Sequence, residues 1–369
     1  MDIILPPPGQ TEPHLTLPLV RIYGPHRQMG QQLGEACREQ VKISIDNARQ
    51  LLEGAYRQLQ LHWTGARIQA RKYLPFAEER YPQYVAEMQG ISEGANVAYD
   101  DICVLNLMEA ITNDALHLTK CTTFAVNQER SADGHVRVAH NEDWLPEDES
   151  GVYIIHARPD DEPPFLAMSY GGLLPNIGFN AAGMSQCCDS VYPRDSRIGI
   201  PRIIVARAVL AAQTPSEAID RALIAHRAAG YNHLLVHESG ELYNLEVSAK
   251  QFGLLYGEDN YLVHTNFYLD PHMRMVESHP EELISTHVRY YRALRLLKQT
   301  QLHTLETLQA IQKDHVNYPI SICNHAANRS PLDRQSTITA LVMDLTTRAM
   351  HAAWGNPCQN AYAVFHLDD

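Results

Sequence analysis

The hydrophobic period of this chain changes at Cys121, from helical spacing before it to strand-like alternation after it. Cys121-Thr-Thr-Phe-Ala-Val-Asn127 alternates, as does His135-Val-Arg-Val-Ala-His-Asn-Glu-Asp-Trp144. Asp133-Gly134 lies between the two runs, and Asp-Gly in that position predicts an antiparallel hairpin. The hairpin returns the chain so that Cys121 meets the polar cluster Asn141-Glu142-Asp143. A thiol, amides and a carboxylate at one end of a sheet are the groups that acyl transfer through a thioester requires.

The first third reads as mainly helical. Residues 1–20 are Pro-rich and predict an extended arm. Residues 26–60 carry Met29, Leu33, Cys37 and Val41 at helical spacing. Helices are also predicted over 83–98 and 100–117, with Asp100 and Asp101 at the N-cap of the second. After Cys121, strands are predicted over 121–128, 135–141, 152–158 and 165–170. A helix follows over 201–212, and Thr214-Pro-Ser-Glu217 is a capping box that starts another. Strands resume over 232–237, 241–248 and 252–264, helices over 281–299 and 304–314, and strands over 337–344, 348–354 and 361–367. No repeat or flexible linker divides this order. The chain therefore reads as one α/β domain, 1–369, with two stacked sheets between helical layers.

Composition narrows the function. With 45% hydrophobic and 20% charged residues, the chain is an ordinary globular one with a large core. A net charge of −13 repels nucleic acid and anionic lipid, so neither is an expected partner. Met1–Pro8 lacks a basic region and a long apolar core, which reads as no signal peptide. No apolar run is long enough to span a bilayer. Seven sparsely spaced cysteines fit reduced thiols, and the expected location is cytoplasmic.

Several chemistries lack their motif. There is no P-loop, no dinucleotide glycine fingerprint and no His-Glu-x-x-His, and Gly183-Met-Ser-Gln-Cys187 fails as a nucleophile elbow. The 19 histidines are scattered. His233 and His237 lie four apart on a predicted strand, but no third ligand is near in sequence, so neither metal nor cofactor is expected. A lone cysteine is more often a small buried residue than a nucleophile. At Cys121 the neighbouring pattern argues otherwise.

Cys-Thr-Thr at 121–123, the hairpin, and Asn141-x-Asp143 resemble the N-terminal nucleophile (Ntn) hydrolases, specifically the penicillin acyltransferase-like family. The resemblance extends along the chain. Arg27-Gln-Met-Gly-Gln-Gln-Leu-Gly-Glu35 is similar to the family's N-terminal helix, and Ile91–Ala95 and Leu105–Glu109 to the helices before its cysteine. Gly178–Met184 resembles its Gly-x-Asn-x-x-Gly turn, His264-Thr-Asn266 its oxyanion segment, and Ser321–His325 and Val342–Asp344 its C-terminal segments.

The resemblance implies an αββα sandwich and a precursor that cuts itself between Lys120 and Cys121. The products are a helical chain, 1–120, and a catalytic chain, 121–369, that stay associated. Cys121 then carries a free α-amine, whose pKa of about 7.7–8.0 suits a base near neutral pH. By the same resemblance Asp143 orients that amine, Asn266 donates to the oxyanion, and Asn141 assists or braces the hairpin. Thr123, His140 and Asp189 are expected on the substrate side. His140 stands where the related bile salt hydrolases carry arginine, and Asp189-Ser190 falls near the second oxyanion asparagine of that group. The implied substrate is a small N-acyl amide, hydrolysed by default because water is always present. An acyl-CoA as acyl donor is the alternative, and a non-catalytic binding protein of the same fold is another. A homo-oligomer is compatible with the resemblance.

Overall fold

A computed structural model describes residues 17–112, 120–280, 283–326 and 334–369. Strand β1 (Leu19–Gly24) precedes seven helices: α1 (His26–Ala36), α2 (Arg38–Gly54), α3 (Tyr56–Leu59), α4 (Trp63–Arg71), α5 (Leu74–Arg80), α6 (Pro82–Ala95) and α7 (Tyr99–Ile111). The hairpin is β2 (Thr122–Val126) and β3 (Arg137–Trp144). Then come β4 (Val152–Pro159), β5 (Phe165–Tyr170), β6 (Ile177–Asn180), β7 (Met184–Ser190), α8 (Arg202–Leu210) and α9 (Pro215–Ala222). Strands β8 (Tyr231–His237), β9 (Leu242–Val247), β10 (Phe252–Tyr256) and β11 (Tyr261–His264) lead to α10 (Ile284–Gln299) and α11 (Leu305–Gln312). Strands β12 (Ser336–Asp344), β13 (Ala349–Trp354) and β14 (Tyr362–His366) close the chain.

The strands form two sheets. One has the order β1-β4-β5-β6-β7-β8-β9-β10 and the other β11-β2-β3-β12-β13-β14. Every pairing is antiparallel except β1 with β4. The alternation of side chains explains the layers. Along β4, Tyr153, Ile155 and Ala157 pack on the N-terminal helices with Met29, Leu33, Met88 and Ile91. Val152 and Ile154 point the other way and meet Val138, Leu341 and Met343 of the second sheet. The outer face of that sheet, with Phe124, Val126 and Val342, covers Ala293, Leu297, Leu308 and Ile311 of α10 and α11. Strands buried on both faces read as near-continuous apolar runs. The result is the four-layer αββα sandwich expected from the sequence.

Helices α1 and α6 meet along glycines. A Cβ on Gly30 would lie 2.1 Å from the Glu87 carbonyl oxygen, and one on Gly94 2.1 Å from that of Gln31. Only hydrogen at these positions permits the backbone approach. This gives a packing reason for the glycines of the 27–35 and 91–95 segments.

Some expectations need correction. Residues 19–24 form β1 rather than the end of an arm. Helix 26–60 is broken at Cys37 and again at Ala55. The N-cap of α7 is Ala98; Asp101 instead accepts from Trp63 Nε1 at 2.8 Å and Arg67 Nε at 2.7 Å. The predicted strand 252–264 is two strands in different sheets, separated by a turn in which Asn260 has φ 65°. The hairpin pairs as expected, but its reversal occupies residues 127–136 and includes a 3-10 turn, Gln128–Arg130. Thr214 caps α9 as expected, accepting from the Glu217 N–H. The end of the predicted 100–117 helix lies outside the described residues.

Candidate active site

Register decides which groups meet the thiol. Thr122 pairs with Asn141 and Thr123 with His140. Cys121 therefore shares a face with His140 and Glu142, and that face looks toward the other sheet. The Cys121 Sγ–H donates to Glu142 Oε2 at 3.3 Å. The same oxygen lies 2.9 Å from His140 Nε2, and His140 Nδ1 lies 2.7 Å from Thr123 Oγ1. Thr123 in turn donates to Asp189 Oδ1 of β7 at 2.6 Å, which ties the two sheets together. All five residues are buried.

Asn141 and Asp143 occupy the opposite face, toward α10 and α11. Asn141 Nδ2 donates to the carbonyls of Gln312 (3.0 Å) and Ile322 (2.9 Å). Its amide braces the sheet against α11 and does not meet the thiol, which corrects its place among the converging groups. Asp143 accepts from Thr337 Oγ1 at 2.6 Å and Asn324 Nδ2 at 3.3 Å. Its main-chain carbonyl accepts from the Lys120 N–H at 3.3 Å, so it lies beside the bond preceding Cys121.

Arg289 of α10 links the remaining parts. Its guanidinium, fully enclosed, donates to the Cys121 carbonyl, to Thr122 Oγ1 at 2.8 Å and to Asn266 Oδ1 at 2.9 Å. Asn266 Nδ2 donates to the Ser190 carbonyl at 3.1 Å. Thus Asn266 stands one side chain away from Cys121, next to the 189–190 segment. The sequence reading assigned no role to Glu142 or Arg289. Glu142 was accessible through strand alternation. Arg289 carries no local signal, because it lies 168 residues from Cys121 on a helix of ordinary composition.

Burial dominates the electrostatics of the site. Burial, then the carboxylates of Glu142, Asp189 and Asp143, push the Cys121 thiol well above its ordinary pKa. The thiol is therefore neutral. Burial lifts the Asp143 carboxyl to about 7 against the pull of Arg289 and the hydrogen bonds from Thr337 and Asn324.

His264 sits behind the site, 2.9 Å from Glu246 Oε1 and 3.4 Å from Asp189 Oδ2. Burial alone would lower its pKa, but the two carboxylates raise it to about 9. The folded chain then holds a proton that the unfolded chain, with pKa about 6.5, releases first. This contribution to stability is complete below pH 6.5 and is lost as pH rises through 9. The shift corresponds to about 3 kcal/mol. Denaturant midpoints should fall between pH 7 and 10 in the native chain and fall much less in His264→Gln. Equal slopes in both would exclude the charged imidazole.

A cavity of about 80 Å³ adjoins Glu142. Its walls include Leu105, Met108, Leu145 and Tyr170, with Glu109 and Ser190 among its polar groups. The 171–195 segment contributes Gly172, Leu173, Asn176 and Ile177 to it, whereas residues 60–80, largely α4 and α5, do not reach it. His233 bonds Gln186 Oε1 at 2.8 Å and His237 bonds Ser239 Oγ at 2.8 Å, so they point to different partners. Cys121, His140 and Glu142 offer three potential metal-ligand atoms, but each already has a role in the thiol's hydrogen-bond chain. Among the described residues no helix is long and apolar enough to cross a membrane.

Several known proteins are similar to this chain. The chain is 24% identical over 341 residues to the 40 kDa form of acyl-coenzyme A:6-aminopenicillanic-acid-acyltransferase from Emericella nidulans, covering 92% of each. It is 24% identical over 257 residues to the beta-alanyl-dopamine/carcinine hydrolase of Drosophila melanogaster, covering 63% of this chain and 65% of that one. A solved structure of a mutant conjugated bile acid hydrolase from Clostridium perfringens is similar at 11% identity and a TM-score of 0.45, covering 66% of this chain and 96% of that one. The family model for acyl-coenzyme A:6-aminopenicillanic acid acyl-transferase matches residues 130–359, well over half of the chain. With its αββα sandwich and a cysteine opening the first strand of the hairpin, the chain belongs to the acyl-coenzyme A:6-aminopenicillanic acid acyl-transferase family.

Proposed function

We propose that this chain is a precursor that cuts itself between Lys120 and Cys121 and then cleaves small N-acyl amides through a Cys121 thioester. The observation that carries this reading is the position of Cys121 at the head of β2. Its thiol rests on Glu142 and its carbonyl is held by Arg289. In the processing step Glu142 takes the thiol proton, and Sγ attacks the Lys120 carbonyl carbon. The C–N bond breaks, the new α-amine gains a proton, and water hydrolyses the thioester to release the 1–120 chain from the 121–369 chain.

In the mature enzyme the α-amine of Cys121 becomes the base. It accepts the thiol proton, the thiolate attacks the acyl carbonyl, and the amine protonates the leaving nitrogen. Asp143, beside that amine, steadies its positive charge. Asn266, held in place by Arg289, supplies a donor for the oxyanion. Thr123, His140 and Asp189 shape the substrate side. The Cys121 thiol is completely buried before cleavage, so processing also opens the path to it.

The two curated relatives carry names that denote acyl transfer and hydrolysis respectively. Hydrolysis is the reading for this chain, because transfer needs a dedicated acceptor pocket and exclusion of water. The apolar walls of the cavity beside Glu142, among them Leu105, Met108 and Tyr170, offer a place for the acyl group.

A second reading rests on the His140–Glu142–Cys121 contacts: an uncut cysteine hydrolase that uses this chain as its base. One experiment separates the two. Intact-mass measurement of purified full-length protein should give two species, residues 1–120 and 121–369. The same preparation is assayed against a panel of N-acyl amides and acyl-CoA thioesters. Turnover by a preparation that stays a single chain would sink the free-amine mechanism and leave the second reading.

A further inference from the structure

Away from the thiol, the loop after α11 and the turn after β13 bring four side chains to one point. His315 Nε2 lies 3.2 Å from His325 Nε2. His325 Nε2 lies 3.3 Å from both Cys323 Sγ and Cys358 Sγ. The two sulfurs are 3.6 Å apart, and all four atoms lie within 4.8 Å of one another. Hydrogen bonding does not account for this. A ring nitrogen has one proton or one in-plane lone pair, and Nε2 of His325 faces three partners at once.

A tetrahedral ion does account for it. With metal–sulfur bonds of about 2.3 Å and metal–nitrogen bonds of about 2.0–2.1 Å, tetrahedral geometry gives edges of about 3.8 Å (S to S), about 3.6 Å (S to N) and about 3.3 Å (N to N). The four distances above fall within about 0.3 Å of those edges. Two thiolates and two imidazoles are a donor set for zinc, and four protein ligands leave no open position, as in structural sites. We propose that His315, Cys323, His325 and Cys358 form a structural zinc site. Binding releases two thiol protons to solvent, and the divalent ion with two thiolates is electrically neutral.

The surroundings support the assignment. Asn356 Nδ2 approaches Cys323 Sγ at 3.6 Å, as an outer-shell donor to a ligating sulfur does. Cys323 is buried, whereas His315 and Cys358 are exposed, so the point is reachable from solvent. The site also bears on the catalytic half. Cys323 and His325 flank Asn324, which donates to Asp143. An ion clamped by both neighbours fixes the loop that carries this donor. The cluster has no compact sequence signature, because Cys358 lies 35 residues beyond Cys323. The proposal holds whether or not the chain cuts itself.

The test is elemental analysis of the full-length protein, purified without chelator or histidine tag. One zinc per chain is expected. Cobalt exchanged into the site should give the strong visible bands of a tetrahedral ion and a thiolate charge-transfer band. Cys358→Ser and His315→Ala alter exposed side chains, so both should fold, and both should lose the stoichiometric metal. Cys121→Ala should keep it. The proposal is overturned if the chain holds no zinc and gives no cobalt spectrum. It is also overturned if the mass is lower by two hydrogens through a Cys323–Cys358 disulfide, if both surface variants keep the metal, or if only Cys121→Ala loses it.

Discussion

Cys121→Ala should yield a single chain of 369 residues that folds, stays uncut and turns over no amide. The variant removes one sulfur from a fully buried position. The deletion is about methyl-sized, and the stability cost should be about 1 kcal/mol. Glu142 loses one donor but keeps His140 Nε2 at 2.9 Å, so no carboxylate is stranded. A melting temperature within a few degrees of the unprocessed native chain is therefore expected. Both reactions, by contrast, need a nucleophile on that atom, and alanine provides none. Intact mass reads the first reaction, and product release from an N-acyl amide reads the second. A variant that still divides into 1–120 and 121–369, or still hydrolyses the substrate at the native rate, would remove Cys121 from the mechanism.

The sequence made the layers legible because each layer has its own period. Strands such as β4, apolar on both faces, could belong only to a sheet covered on both sides, and the capping box at Thr214 fixed a helix start. It failed where local signals were outweighed by tertiary contacts. Asp100 and Asp101 look like caps, yet their carboxylates serve Arg71, Arg67 and Trp63. Residues 252–264 alternate as one strand, but the turn at 257–260 sends their two halves to different sheets. Within the site, the cysteine and the Asn-x-Asp cluster are recognisable in the sequence, but the face each side chain takes follows from the strand register. A one-residue step along β3 exchanges Asn141 for Glu142 as the neighbour of the thiol. Arg289 and the His315–Cys358 cluster depend on contacts between distant segments, for which periodicity holds no information.

Arg289→Gln should lower both stability and turnover, and its effect should overlap with that of Asn266→Ala. The guanidinium is fully buried and serves three acceptors: the Cys121 carbonyl, Thr122 Oγ1 and Asn266 Oδ1. Burial lowers its pKa, and the neighbouring charges, Asp143 first, raise it. Glutamine reaches at most part of this set. Acceptors left unpaired in the interior cost about 1–3 kcal/mol each. With two of the three stranded, a loss of about 2–6 kcal/mol in denaturant unfolding is expected. Asp143 would lose the Arg289 charge that draws its pKa down, and its carboxyl would take up a proton more readily still. On processed protein, loss of an oxyanion donor at Asn266 should cost about a hundred- to a thousandfold in kcat with little change in ground-state affinity. Because Arg289 holds Asn266 in place, the double variant should be little worse than the more impaired single variant. Additive losses would mean that the two side chains act independently. A drop in kcat below threefold for Asn266→Ala, with chemistry rate-limiting, would leave Asn266 a brace for the Ser190 carbonyl and put the oxyanion elsewhere.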